Sequence, residues 1–166
     1  MNRVQYQAVA AGALLLTLPE SLRQEPTNPA AAVVKSPIIL RPGEMRWEDC
    51  SAAIPPGAKC ATVEGDRTAA NVPFAYRLKM PDRYHVPPHF HPADEHLTVI
   101  AGTVNIGFGD KFDVKITKPM PVGSFIVIPR RTRHFVWTRG ETIVQVQAIG
   151  PWGVSYVNPA DDPRKR

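Results

Sequence analysis

The stretch VPPHFHPADEHLTVIAG, Val86 to Gly102, sets three histidines, two acids and three prolines ahead of an apolar run. In an extended chain residues i and i+2 share a face, so His89 and His91 present two imidazoles side by side while Phe90 turns away. Pro92-Ala93-Asp94 reads as a tight turn, with Asp94 a solvated turn residue. Glu95 then opens the apolar run, where its carboxylate can swing back toward the two rings. Three metal-ligating groups are thereby supplied locally. His96, directly after Glu95, is expected on the opposite face as a structural or surface histidine. His85 shares the alternation of His89, but Pro87 and Pro88 intervene, so a pocket or surface role is expected for it.

All five histidines fall between His85 and His134, and a cause for that clustering is needed. A fourth ligand has to come from a distant strand, and only His134 qualifies, at the start of HFVWT after the turn PRRTR. Val136 shares its face, whereas Phe135 and Trp137 share the other.

A chain of 166 residues is about one domain, and its 18 prolines leave few windows for a long helix. Short candidate strands recur at Glu44–Trp47, Ala58–Glu64, Phe74–Met80, His96–Ala101, Thr103–Phe108, Phe112–Thr117, Ser124–Ile128, His134–Thr138, Thr142–Ile149 and Val154–Val157. Between them lie turn signals such as PPG, EGD, GFGD, KPMPVG, RG and GPWG. The class is mainly β, a sandwich or a barrel. The formal charge of +5 comes with interspersed acids and no nucleic-acid-binding motif, so it reads as solubility and no nucleic-acid partner is expected. PRRTRH is the local exception. Arg130, Arg131 and Arg133 beside His134 would favour an anionic substrate such as a carboxylate, the alternative being a solvated turn.

Near the N-terminus, Ala8 to Leu18 is an uncharged run of eleven, too short to span a bilayer. It reads as a signal peptide, against the competing reading of an apolar helix packed on the domain. Residues 1–37 are therefore expected to be signal peptide and linker, and 38–166 the single domain, periplasmic or secreted if the leader is real and cytoplasmic otherwise. Stable membrane insertion is not expected. In an exported chain Cys50 and Cys60 could close a small disulfide loop, contributing about 2–3 kcal/mol. In the cytoplasm they would be two thiols.

The spacing of these residues resembles the cupin, or RmlC-like, family. Its first motif, G-x5-H-x-H-x3,4-E-x6-G, is matched by His89, His91, Glu95 and Gly102, and its second, G-x5-P-x-G-x2-H-x3-N, by Gly123, Pro129 and His134. The match covers about residues 74 to 150. The resemblance implies an all-β antiparallel double-stranded β-helix (jelly-roll) barrel, with His89, His91, Glu95 and His134 as ligands of one divalent transition metal: Fe, Mn, Ni, Cu or Zn. Arg83, Arg131 and Thr138 stand where the motifs have glycine, glycine and asparagine. A glycine at position 131 usually serves a positive φ, so Arg131 is expected to alter the turn; a one-residue shift would face His134 outward.

Such a site points to a metal-dependent small-molecule enzyme, a dioxygenase ahead of an isomerase or lyase. The alternative is a non-catalytic metal- or small-molecule-binding or sensing barrel. Candidate substrate-binding residues are Gln145 and Gln147, on one face of an apolar strand, together with Tyr76 and Arg131. Solvent exposure is the competing reading of the two glutamines. The closing segment GETIVQVQAIGPWGVSYVNPADDPRK resembles a subgroup of single-domain bacterial cupins of unassigned function. By the same resemblance a C2 homodimer, paired near Met45, is expected.

Overall fold

The computed structural model describes residues 36–165, so the expected leader and most of the linker lie outside the described residues. Nine strands form one curled antiparallel sheet: β1 (Glu48–Asp49), β2 (Lys59–Glu64), β3 (Pro73–Met80), β4 (His85–Phe90), β5 (Glu95–Phe108), β6 (Lys118–Pro121), β7 (Phe125–Ile128), β8 (His134–Ile149) and β9 (Ser155–Tyr156). No helix among the described residues is long and apolar enough to cross a membrane.

The sheet is organised by β8. Its second half runs beside β3, from Met80↔Thr142 to Pro73↔Ile149, and its first half beside β4, while β5 follows both halves from the other side. The sequence divides β5 and β8 into two strands each, at Gly102 and at Arg139-Gly140. The structure instead shows two long strands that bend there, with Gly102 at φ 71 and Gly140 at φ 75. A Cβ on Gly102 would fall onto the Glu141 carbonyl oxygen, so only glycine lets the two strands approach this closely.

Other expectations are corrected. Glu44–Trp47 is not a strand: Pro42–Glu44 forms a 3-10 turn in which the Glu44 carboxylate accepts the Arg41 N–H at 2.8 Å. Phe112–Thr117 also contains a 3-10 turn, at Val114–Ile116, because Asp113 caps it by accepting the Lys115 N–H at 2.8 Å. The strand forms in the following KPMP, which pairs only with β5, and an edge strand tolerates prolines. His85–Phe90 likewise becomes β4 despite Pro87 and Pro88, because its register with β8 slips between Val86 and His89.

Alternation along the strands turns Phe74, Tyr76, Leu78 and Met80 of β3 inward to meet Leu97 and Val99 of β5 and Val144, Val146 and Ala148 of β8. Each fully buried Val or Leu contributes about 1.5–3 kcal/mol, which makes this shared face the main source of stability. A disulfide joins Cys50 to Cys60 and fixes the loop that carries Ile54.

Candidate metal centre

Four polar side chains share that apolar interior. His89 is the last residue but one of β4, His91 follows that strand, Glu95 begins β5 and His134 begins β8, where it is the register partner of His89. All are at most 5% exposed. Each ring is tied by Nδ1 to a backbone carbonyl: His89 to Pro87 at 2.7 Å, His91 to Gly153 at 2.8 Å and His134 to Thr132 at 2.9 Å. A carbonyl only accepts, so Nδ1 carries the proton and Nε2 keeps its lone pair, and the backbone hydrogen bond fixes the ring in the orientation a metal-ligating imidazole needs. Ligand atoms of the three histidines lie within 4.8 Å of one another. Burial, reinforced by the neighbouring rings, holds the pKa of His89 well below the usual imidazole value, and burial lowers that of His91. Both are neutral at pH 7, the form that binds metal.

Glu95 stands beside two of the three rings. Its Oε2 stands 3.5 Å from His91 Nε2 and 3.4 Å from His134 Nε2. It is also the one buried side-chain polar atom among the described residues without a hydrogen-bond partner. Burial alone would raise the carboxyl pKa, but His134 and His91 outweigh it and hold the group below its ordinary range. Leaving a buried acceptor unsatisfied costs about 1–3 kcal/mol, more for a charge. A cation among these four groups would remove that cost, and three imidazole nitrogens with one carboxylate suit a divalent transition metal.

The centre faces an apolar cavity with about 40 Å³ of free space, bounded by Ile54, Tyr76, Leu78, Val136 and Val146 among others. This is room for a water or two beside the side chains. Tyr76 is buried on the inner face of β3; burial, then the charge of Glu95, pushes its phenol far above its ordinary pKa, so it stays a neutral donor. Trp152 closes the site by stacking on His91, with centroids 3.9 Å apart. The Trp152 backbone N–H donates to the Arg67 carbonyl at 2.7 Å, and the Asn71 backbone N–H donates to the Gly150 carbonyl at 2.9 Å, which ties this cap to the β2–β3 loop. The Arg67 guanidinium lies 5.7 Å from the Tyr76 ring centroid. An outer groove of about 540 Å³, lined by Arg46 and Arg67 and by the acids Glu48, Asp49, Glu64 and Asp66, shares Tyr76 with the inner cavity.

The structure therefore brings His89, His91, Glu95, His134 and Tyr76 together. It does not bring Gln145 and Gln147 to them. These alternate with the inward Val144, Val146 and Ala148, so period-2 geometry places them on the outer face, where Gln145 accepts from Arg77 Nε at 3.1 Å. Nor does the Arg131 side chain line the cavity. The altered turn expected at Arg131 is also corrected: Arg131 itself adopts φ 62 and donates its N–H to the His91 carbonyl at 2.8 Å, so the turn is kept and His134 faces inward. Arg83 does the same at φ 55. Thr138, in the asparagine position, ties that turn down by donating its hydroxyl to Pro81 at 2.6 Å and accepting the Tyr84 N–H at 2.9 Å. His85 is exposed against Phe112, and His96 is exposed on the outer face. Trp152, Arg67 and Ile54 escape a reading of the sequence. Only Trp152 leaves a signal there, as an aromatic residue set between the glycines of GPWG.

No curated protein matches the chain. Among solved structures, similarity extends to the polyketide cyclase RemF from Streptomyces resistomycificus, with a TM-score of 0.63 and 18% identity over 76% of this chain and 89% of that one. KdgF from Halomonas sp. is similar with a TM-score of 0.53 and 15% identity over 69% of this chain and 96% of that one. An RmlC-like cupin from Shewanella frigidimarina NCIMB 400 is similar with a TM-score of 0.53 and 13% identity over 69% and 91% of the two chains. These likenesses show the fold, a cupin barrel. The model of the family described as domain of unknown function DUF4437 matches residues 56–160, a span that holds both histidine motifs and the Trp152 cap, and the chain belongs to that family of cupin-fold proteins.

Proposed function

We propose that the protein is a metal-dependent enzyme acting on a small organic molecule, with His89, His91, Glu95 and His134 as the ligands of one divalent transition ion. The observation that carries this reading is Glu95 Oε2, buried without a donor and facing two imidazole nitrogens whose rings are pre-oriented through Nδ1. When bound, the ion would supply Lewis acidity or, if redox-active, reactivity toward oxygen. The rest follows from the chain. The carbonyls of Pro87, Gly153 and Thr132 hold the three rings, the aliphatic wall excludes bulk water, and the neutral Tyr76 hydroxyl is available as a hydrogen-bond donor to a substrate oxygen.

Substrate would approach through the outer groove, because Tyr76 borders both spaces. That groove carries Glu48, Asp49, Glu64 and Asp66 beside Arg46 and Arg67, so its charge favours a neutral or cationic group over an anionic one. A dioxygenase stands ahead of an isomerase or lyase, since Tyr76 is a poor base and no other proton acceptor outside the ligand set lines the cavity. The small free volume favours a second reading, a barrel that binds a small ligand without turning it over.

Elemental analysis of protein produced with iron, manganese, nickel, copper and zinc available is expected to find one equivalent of metal, lost in His91→Ala. Protein without stoichiometric metal would overturn the enzyme reading and any metal-binding form of the second. Oxygen uptake with diketones, catechols or thiol acids separates oxygenase from binder. The Cys50–Cys60 disulfide supports export of the chain, which fractionation checks, and light scattering checks the expected homodimer.

A further inference from the structure

Arg131 occupies the left-handed region at φ 62, a conformation disfavoured for any residue with a Cβ and natural for glycine. Its guanidinium contributes nothing to the metal cavity and has no carboxylate within ion-pair reach among the described residues. It lines a separate cleft of about 640 Å³ together with Arg133, Arg164, Phe90, Pro92 and Ser155, and no acidic residue lines that cleft. Arg133 gives only Nη1 to Asp110, and Arg164 gives Nε and Nη2 to Asp162 and the Val154 carbonyl. These two acids hold the flanking arginines in place, and Nε and Nη2 of Arg133 and Nη1 of Arg164 are left over as donors. The positive charge of Arg131 is uncompensated.

We propose that this cleft is a binding site for a small oxyanion, a carboxylate or a phosphate, held chiefly by Arg131 between Arg133 and Arg164. Three planar guanidinium forks around an acid-free hollow match the oxygens of such a group. The site lies outside the barrel, although two of its walls touch the back of the metal centre: Arg131 N–H donates to the His91 carbonyl, and the Gly153 carbonyl accepts from His91 Nδ1. Binding there requires no metal.

The test is calorimetric titration of the full chain, before and after metal removal, with inorganic phosphate and with succinate, ionic strength being matched by potassium chloride. Saturable binding of about one equivalent of either anion, with and without metal, is expected, and whichever binds identifies the oxyanion. Arg131→Gly suits the backbone there and should melt no lower than the parent while binding at least about 10-fold more weakly. Arg83→Gly relieves the same restriction away from the cleft and should bind as the parent does. Heats no different from the chloride control, undiminished binding by Arg131→Gly, or equal losses in both variants would each overturn the site. The metal-free arm keeps this result independent of the metal reading.

Discussion

In one region of the barrel interior Leu78, Met80, Val99, Val104 and Val144 pack against one another and leave nothing unsatisfied; in the other, His89, His91, Glu95 and His134 are equally buried, yet Glu95 Oε2 has no donor. β5 and β8 contribute to both regions, with β3 added on the apolar side and β4 on the polar side, and the same alternation turns their side chains inward. The difference lies in what each needs from outside the chain. Apolar burial is complete once the sheet has curled. The polar cluster carries a desolvation cost that only a further charge or donor can offset.

The comparison can be broken most forcefully from the apolar side. Leu78→Ala should lower stability by about 2–5 kcal/mol in denaturant titrations while leaving metal content unchanged, because Leu78 walls the cavity beside the four polar groups but offers no ligand atom. Loss of metal from that variant would show that the two regions are not separable.

From the polar side, His91→Ala should weaken metal affinity more than about 100-fold, roughly 2.7 kcal/mol, in competition titrations, with an unchanged circular dichroism spectrum. Stripping the parent with a chelator should lower its melting temperature, whereas the variant should show no chelator effect.

Acid sharpens the contrast by a smaller amount. In the folded chain His89 and His91 resist protonation, above all through burial, whereas unfolded histidines gain protons near pH 6.5. The unfolded state therefore binds more protons below that value. Stability of the metal-free protein should be complete above about pH 6.5 and fall on acidification, by about 1.4 kcal/mol per pH unit for each such histidine. A flat profile between pH 7 and 5 would contradict neutral buried rings.

The smallest effect is that of Glu95→Gln. His134 and His91 hold the Glu95 carboxyl below its ordinary range, so the folded metal-free chain favours the charged form, and the neutral amide should make it slightly less stable in denaturant titrations while metal affinity falls. A more stable variant would mean that desolvation of the carboxylate outweighs the two rings.

Much of the metal centre was legible because strand alternation is local physics. His89 and His91 at i and i+2, and His96 opposite Glu95, follow from the pleat alone. The same rule left Gln145 and Gln147 undecided, since it pairs them on one face without saying which face is inside; the register of β8 with β3 and β5 answers that. Edge position made a strand of KPMP, against its prolines. The cap was hidden for a different reason: Trp152 reaches His91 only because the β2–β3 loop holds its backbone through Arg67, more than eighty residues earlier in the chain.

By itself the sequence determined the barrel class and the four groups that converge in it, because periodicity and motif spacing are properties of neighbouring residues. Tertiary structure alone decided that Arg83 and Arg131 accept left-handed backbone where glycine is usual. Hydrogen bonds from Thr138 and to the His91 carbonyl hold those turns in shape, and such partners exist only once distant strands have met.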